Sequence, residues 1–200
     1  MRAVRAVLRH QARLFGSLPL WVRARQPAYG GVEFGYAKGQ GPMLFGFAFA
    51  GLVETVTMAV LLRHHPVAHL VMLVLDAYGV LFVVALHAAS VVRPHLLDGG
   101  TLRVRRAAQP ELPVPLADIA SVRQELRATH TRRDGELDLV VGAQTSVTLE
   151  LVHPVPYFTS LGRRQEVRLV RFHADDAGAV VRAVERARDS LSPLPSDPVG

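Results

Sequence analysis

Two carboxylates stand where carboxylates are costly. Glu54 lies inside the apolar run from Met43 to Leu62, and Asp76 lies inside the next one, from Val67 to Val92. Glu54 is nine residues before Arg63, and Asp76 is ten residues after Pro66. If the two runs are antiparallel helices joined by the intervening turn, both carboxyls sit at one depth, about 14 Å below that turn at about 1.5 Å per residue. A charged side chain near a bilayer centre costs at least about 2.5–3.5 kcal/mol on insertion scales. Two carboxylates at one depth also repel, so the cheaper state leaves one or both neutral. A neutral carboxyl donates a hydrogen bond, which predicts that Glu54 and Asp76 tie the two helices, or two copies of the chain, together.

The second run carries more polarity. His69, Asp76 and His87 are spaced by seven and eleven residues, which puts them on one helical face. Such a stripe could relay protons. However, the steps are about 10 and 16 Å along the axis, beyond hydrogen-bond reach, and two helices alone cannot enclose a water chain. Interhelical or intermolecular contact is therefore the preferred reading. A small oligomeric proton or ion transport component working through Glu54 and Asp76 is the alternative.

Other chemistry is thinly represented. His64, His65 and His69 could offer three imidazoles to a metal, but no Asp, Glu or Cys stands beside them, so no metal site is expected. His130 and His153 fall in strand-like segments without a nucleophile nearby. Ser90, Ser121 and Ser160 lack the context of a nucleophile elbow or triad. There is no phosphate-binding loop. Cysteine is absent, which excludes disulfides and thiolate metal sites. These observations predict a non-enzymatic protein without a cofactor.

The elements that must position the carboxylates are legible. Residues 43–62 and 67–92 are each long enough to span about 30 Å of hydrocarbon. The segment Arg63 to Pro66, "RHHP", permits only a tight hairpin. Basic residues gather before the first span (Arg2, Arg5, Arg9, Arg13, Arg23, Arg25, Lys38) and after the second (Arg93, Arg103, Arg105, Arg106), whereas the turn has only Arg63. Both termini of a multi-pass cell-membrane protein are then cytoplasmic, with Arg93 and Arg63 anchoring the two interfaces. Residues 1–42 read as a basic segment: a possible interfacial helix, with arginines on one face and Val7, Leu8, Leu14 and Phe15 on another, then a Gly-rich linker whose Tyr29, Phe34 and Tyr36 suit the headgroup region.

The net charge is +6, carried by 22 Arg and a single Lys, with one Ile and no Asn. That bias fits the codon usage of a high-GC bacterial genome, so the basicity argues for an anionic inner leaflet as partner and not for nucleic acid.

From residue 93 to 191 the pattern changes to period two. "TLRVR", "ELDLVV", "SVTLEL" and "EVRLVRF" alternate as strands. "DGG" at Asp98 and "DGE" at Asp134 signal turns, and "PLADIASVRQELRATHT" reads as a short turn and a long strand. A closing amphipathic helix, capped by Asp175 or Asp176, presents Val180, Val184, Ala187 and Leu191 as one stripe. Antiparallel strands with one C-terminal helix predict a small barrel or split sandwich. Residues 192–200 read as a disordered tail.

The order of "LRVRR", "PLADIASVR", "VTLELVHPV" and "ADDAGAVVRAV" resembles a bacterial pleckstrin-homology-like (PH-like) domain. With "FGY", the "VE" of the first span, "LDAYG" and "RPH", the chain is also similar to uncharacterised small membrane proteins of high-GC Gram-positive bacteria. The resemblance implies a fold and a location. It implies self-association, or docking to another membrane protein, more than phosphoinositide binding, because the loop "AAQPELPVP" holds Glu111 and no basic residue.

Overall fold

The computed structural model describes residues 2–23, 30–131, 133–159 and 162–191. The tail 192–200 and Tyr29, and the side chains of Arg2, Arg5 and Arg9, lie outside the described residues.

Helices α2 (Gly41–Leu61) and α3 (Pro66–Val92) form the hairpin. Each starts with a proline in its first turn, where the missing amide proton is no loss. Both are long and apolar enough to cross a membrane, and the most apolar stretch of each is not buried within the protein, whereas the last turns of α3 are covered at Ala85, Ala88, Ala89, Ser90 and Val92. This exposure separates them from the core helix of a soluble domain and fits a chain associated with a membrane.

Ahead of them, α1 (Arg2–Val22) is a true helix and not only a basic tail. It packs on the C-terminal half of α3. Leu14 is fully buried against Ala85 and Ala89 of α3 and against Ala107 and Ala108 of the β domain. Alanines at this contact let the helix backbones approach closely. Phe15 meets Tyr78 at 6.1 Å, and Trp21 meets the edge of His87 at 5.8 Å.

The remainder is mostly β, in two four-stranded sheets. The first runs β1 (Val32–Phe34), β2 (His95–Asp98), β3 (Thr101–Val104), β4 (Leu112–Pro115), all antiparallel. Asp98–Gly100 makes the tight β2–β3 turn, with Gly99 and Gly100 at φ of 52° and 80°, a pair of left-handed positions that disfavours side chains. The second sheet holds β5 (Ile119–Arg127), β6 (Glu136–Leu139), β7 (Thr145–Phe158) and β8 (Arg164–Phe172) in the order β5-β7-β8-β6, with β6 parallel to β8. Pro154 and Pro156 are tolerated in β7 because its pairing with β5 ends at Leu151. Across β6 and β8, Arg171 Nη1 donates to Glu136 Oε2 at 2.7 Å and to Asp138 Oδ1 at 3.1 Å.

Helix α4 (Ala177–Leu191) closes the domain. Asp176 caps it, accepting from the Ala179 amide at 2.8 Å. Val180 and Val184 are fully buried in a core shared with Leu102, Val104, Leu112, Val147, Leu149 and Phe172.

Four local expectations need correction. The presumed linker contributes strand β1, so Phe34 and Tyr36 are buried and not at the headgroups. "AAQPELPVP" is only partly a loop, because Leu112–Pro115 is β4; its prolines are admitted by its place at the sheet edge. Leu191 is 59% exposed, since α4 ends there beside Gly100 at the margin of the domain. His130 lies in the connection between β5 and β6, not in a strand.

Candidate functional site

Glu54 and Asp76 reach one place. Both line a groove of about 760 Å³ between α2 and α3, closed at one end by Trp21 and His87. Gly51 and Gly79 also line the groove, and Gly51 lies against the Val80 side chain. Of the polar stripe on α3, Asp76 and His87 belong to this wall, and His69 does not.

Within the groove Asp76 has a partner that the sequence did not reveal. Thr55 Oγ lies 2.9 Å from Asp76 Oδ2 and 2.8 Å from the Gly51 carbonyl oxygen. The Thr55 hydroxyl is the donor in both contacts, so its one proton is shared between the two acceptors. Among the described residues, no hydrogen bond or ion pair joins Glu54 to Asp76. The interhelical contact that the structure provides is therefore between Thr55 and Asp76, and Glu54 faces the open groove.

The two expected interface anchors sit at opposite ends. Arg63 Nε donates to His64 Nε2 at 2.9 Å in the turn. Arg93 stands where α3 ends and the β domain begins. Among the described residues no group of three or more His, Asp or Glu is placed to hold a metal ion, so the structure does not gather His64, His65 and His69.

A second constellation lies just beyond the hairpin, and sequence reasoning missed it. His95, the first residue of β2, is buried. Its Nδ1 accepts from the Arg105 amide at 3.1 Å, so its Nε2 carries the hydrogen that it donates to the His173 carbonyl at 2.9 Å. The ring is therefore neutral, and burial pushes it down to about 4. Tyr36 and Phe172 each pack on it at 4.7 Å between ring centres. The Tyr36 hydroxyl accepts from the Ala107 amide at 2.8 Å, and burial pushes it up to about 12, although Ala107, Ser90, Arg93 and Arg105 pull the other way. The node thus joins the end of α3, the residues after β1, the β3–β4 loop and the segment after β8.

A further clasp fixes the same region. Asp175 does not cap α4. Its amide donates to the Gly35 carbonyl at 2.9 Å, and its carboxylate accepts from the Lys38 amide at 3.1 Å. The signal for this node was present as "FGY" and "RPH", but only the paired register Phe34↔His95 brings those pieces together.

No protein-family model matches the chain, and neither does any curated protein or solved structure.

Proposed function

We propose that this chain is a non-catalytic membrane anchor that holds a PH-like β domain at the inner face of a bacterial cell membrane, where the domain takes part in assembly or docking. The observation that carries this reading is the His95–Tyr36 node. A domain meant to roam would hang from a flexible linker. Here the last turn of α3 runs within two residues into β2, and Tyr36 and His95 are buried together at that junction. The span and the domain therefore move as one piece.

Strand pairing also constrains topology. The pairing of Phe34 with His95 supports placing the two ends of the hairpin on one side of the membrane. The excess of arginine around both ends favours the cytoplasm as that side. Two sheets with one helix closing the core favour the PH-like reading, and Glu54, facing an open groove in an apolar helix, favours contact with another copy or another membrane protein.

The test uses the natural absence of cysteine. Single cysteines at Phe47 or Gly51, beside Glu54 on the groove, should form disulfide-linked dimers in native membranes under mild oxidation. A cysteine at Val60, close to the turn, should do so far less. Monomers throughout would sink the assembly reading. If Glu54→Gln instead abolished proton flux in reconstituted vesicles while leaving cross-linking intact, the transport alternative would replace it.

A further inference from the structure

Beside β6, at the edge of the second sheet, the β domain holds a pocket of about 370 Å³. Its wall is drawn from β6, the end of β7 and the start of the β3–β4 loop, and it includes Arg106 and Tyr157. We infer that this pocket binds a small organic carboxylate with an apolar body, gripped at its carboxylate by Arg106 and Tyr157.

The first ground is a pair of donors without acceptors. Tyr157 is only 4% exposed, yet among the described residues its hydroxyl has no hydrogen-bond partner. The half-buried Arg106 guanidinium likewise makes no hydrogen bond or ion pair among the described residues. Burial lowers the pKa of Arg106, with Tyr157 and Tyr36 opposing. Burial raises that of Tyr157, with Arg106 opposing. Both groups have thus given up water without gaining a protein acceptor, whereas buried polar groups ordinarily have one. One carboxylate satisfies the two together. A guanidinium donates in parallel to both carboxylate oxygens, and a phenol donates to either.

Local structure holds these donors in place. Arg106 follows β3, and its carbonyl accepts from the Gln109 amide at 2.9 Å. The next amide, that of Ala107, donates to the Tyr36 hydroxyl at 2.8 Å, so the turn is fixed from two sides. Tyr157 stands on β7 directly opposite Gln165 of β8, and Gln165 lines the pocket as well. The Thr159 hydroxyl, also in the wall, accepts from the Arg163 amide at 3.1 Å, which leaves its own proton for an acceptor.

The rest of the wall selects the class of anion. Glu136 and Asp138 border the pocket and share one guanidinium, accepting from Arg171 Nη1 at 2.7 and 3.1 Å. His130 Nδ1 lies 3.5 Å from the other Asp138 oxygen, and Arg133 is exposed at the rim. Carboxylates in the wall oppose a dianion such as phosphate more than they oppose a monoanion. Leu137 and Val140 give the pocket an apolar side. A bare inorganic anion has no use for it, whereas an aliphatic or aromatic body does. The volume falls at the lower end of small-molecule sites, which run from about 300 to 1,000 Å³.

The inference does not depend on the membrane-anchoring reading, and its test uses the full chain in maltoside micelles. The probes are para-fluorobenzoate, its neutral counterpart para-fluorobenzamide, and inorganic phosphate. Binding is followed at neutral pH by fluorine NMR line broadening, against protein-free micelles. The benzoate signal should broaden and the benzamide signal should not. Phosphate at equal concentration should leave the broadened signal as it is. Arg106→Gln should weaken binding by about tenfold and Tyr157→Phe by about threefold, as expected for losing hydrogen bonds to a charged group. Arg186→Gln, an equal charge change on the exposed side of α4, should leave binding unchanged. Tyr157→Phe keeps the buried ring, and it decides alone if Arg106→Gln fails to fold. The inference is overturned by an unbroadened benzoate signal, by equal broadening of the benzamide, or by displacement with phosphate. Unchanged binding in Tyr157→Phe or in a folded Arg106→Gln overturns it too, as does an equal loss in Arg186→Gln.

Discussion

At the scale of single residues, the two carboxylates turn out to differ. Asp76 is committed to Thr55 across the hairpin and Glu54 is not. A double-mutant cycle separates them. Thr55→Val with Asp76→Leu should show a coupling of about 0.6 kcal/mol, and under about 2, by analogy with other hydrogen bonds within bilayers. Glu54→Leu with Asp76→Leu should be additive, read as thermal stability of the full chain in detergent. A coupling of similar size in the second cycle would mean that the acids bond to each other after all. The shared depth of Glu54 and Asp76 was legible because it needs only residue counting. Thr55 was not, because a threonine in an apolar helix ordinarily satisfies itself on its own backbone four residues back, and Thr55 makes that contact too.

His95 gives a second residue-scale prediction. Its ordinary value of 6.5 is lowered to about 4 in the fold. The unfolded chain therefore takes up the proton first as pH falls. The stabilisation is complete above about pH 6.5 and is lost as the pH drops toward 4. His173 is lowered by burial as well and acts in the same direction. Between pH 7 and pH 5 the full chain should lose on the order of 2 kcal/mol through His95. His95→Gln should be less stable at pH 7 but flatter across that interval, as followed by thermal melting. An equally steep pH profile in the variant would show that His95 is not the group responsible.

At the scale of elements, the alternating strands, both membrane helices and the closing helix could be read from periodicity, since period two and period 3.6 leave different patterns. What escaped were β1, β2 and β4. Each is short, rich in or flanked by Gly or Pro, and stabilised by neighbours distant in sequence, so no local signal marks them. Strand β1 is nevertheless structural. Gly31 lies so close to the Leu97 carbonyl that an added methyl group collides with backbone. Gly31→Ala should therefore unseat β1 and loosen Tyr36, lowering the melting temperature by several degrees. Gly30→Ala, with open space around it, should not. Equal melting of the two variants would deny β1 that role. On α4, Val180→Ala and Val184→Ala should each cost about 1–3 kcal/mol, as buried aliphatic truncations do.

For the whole molecule, the central expectation is orientation. A single cysteine replacing His64 should react with a membrane-impermeant thiol reagent in intact cells, and one replacing Ser190 should react only after lysis. Reaction of Ser190→Cys in intact cells would invert the assignment. The molecule as a whole is less modular than its sequence. A basic segment, a hairpin and a β domain can be marked off along the chain, yet α1 packs on α3 and touches the β3–β4 loop, and the segment before the hairpin completes a sheet after it.

The pairing of β1 with β2 also orders events in time. Strand β1 leaves the ribosome before the hairpin, and its partner leaves after it, about sixty residues later; at about 5–20 residues per second, that is a wait of roughly 3–12 s. During that interval the hairpin must enter the membrane while an unsatisfied strand stays behind on the side of synthesis. An open strand edge held for seconds is an invitation to pair with a stranger. At three residues, Val32–Phe34 offers such a stranger very little to hold.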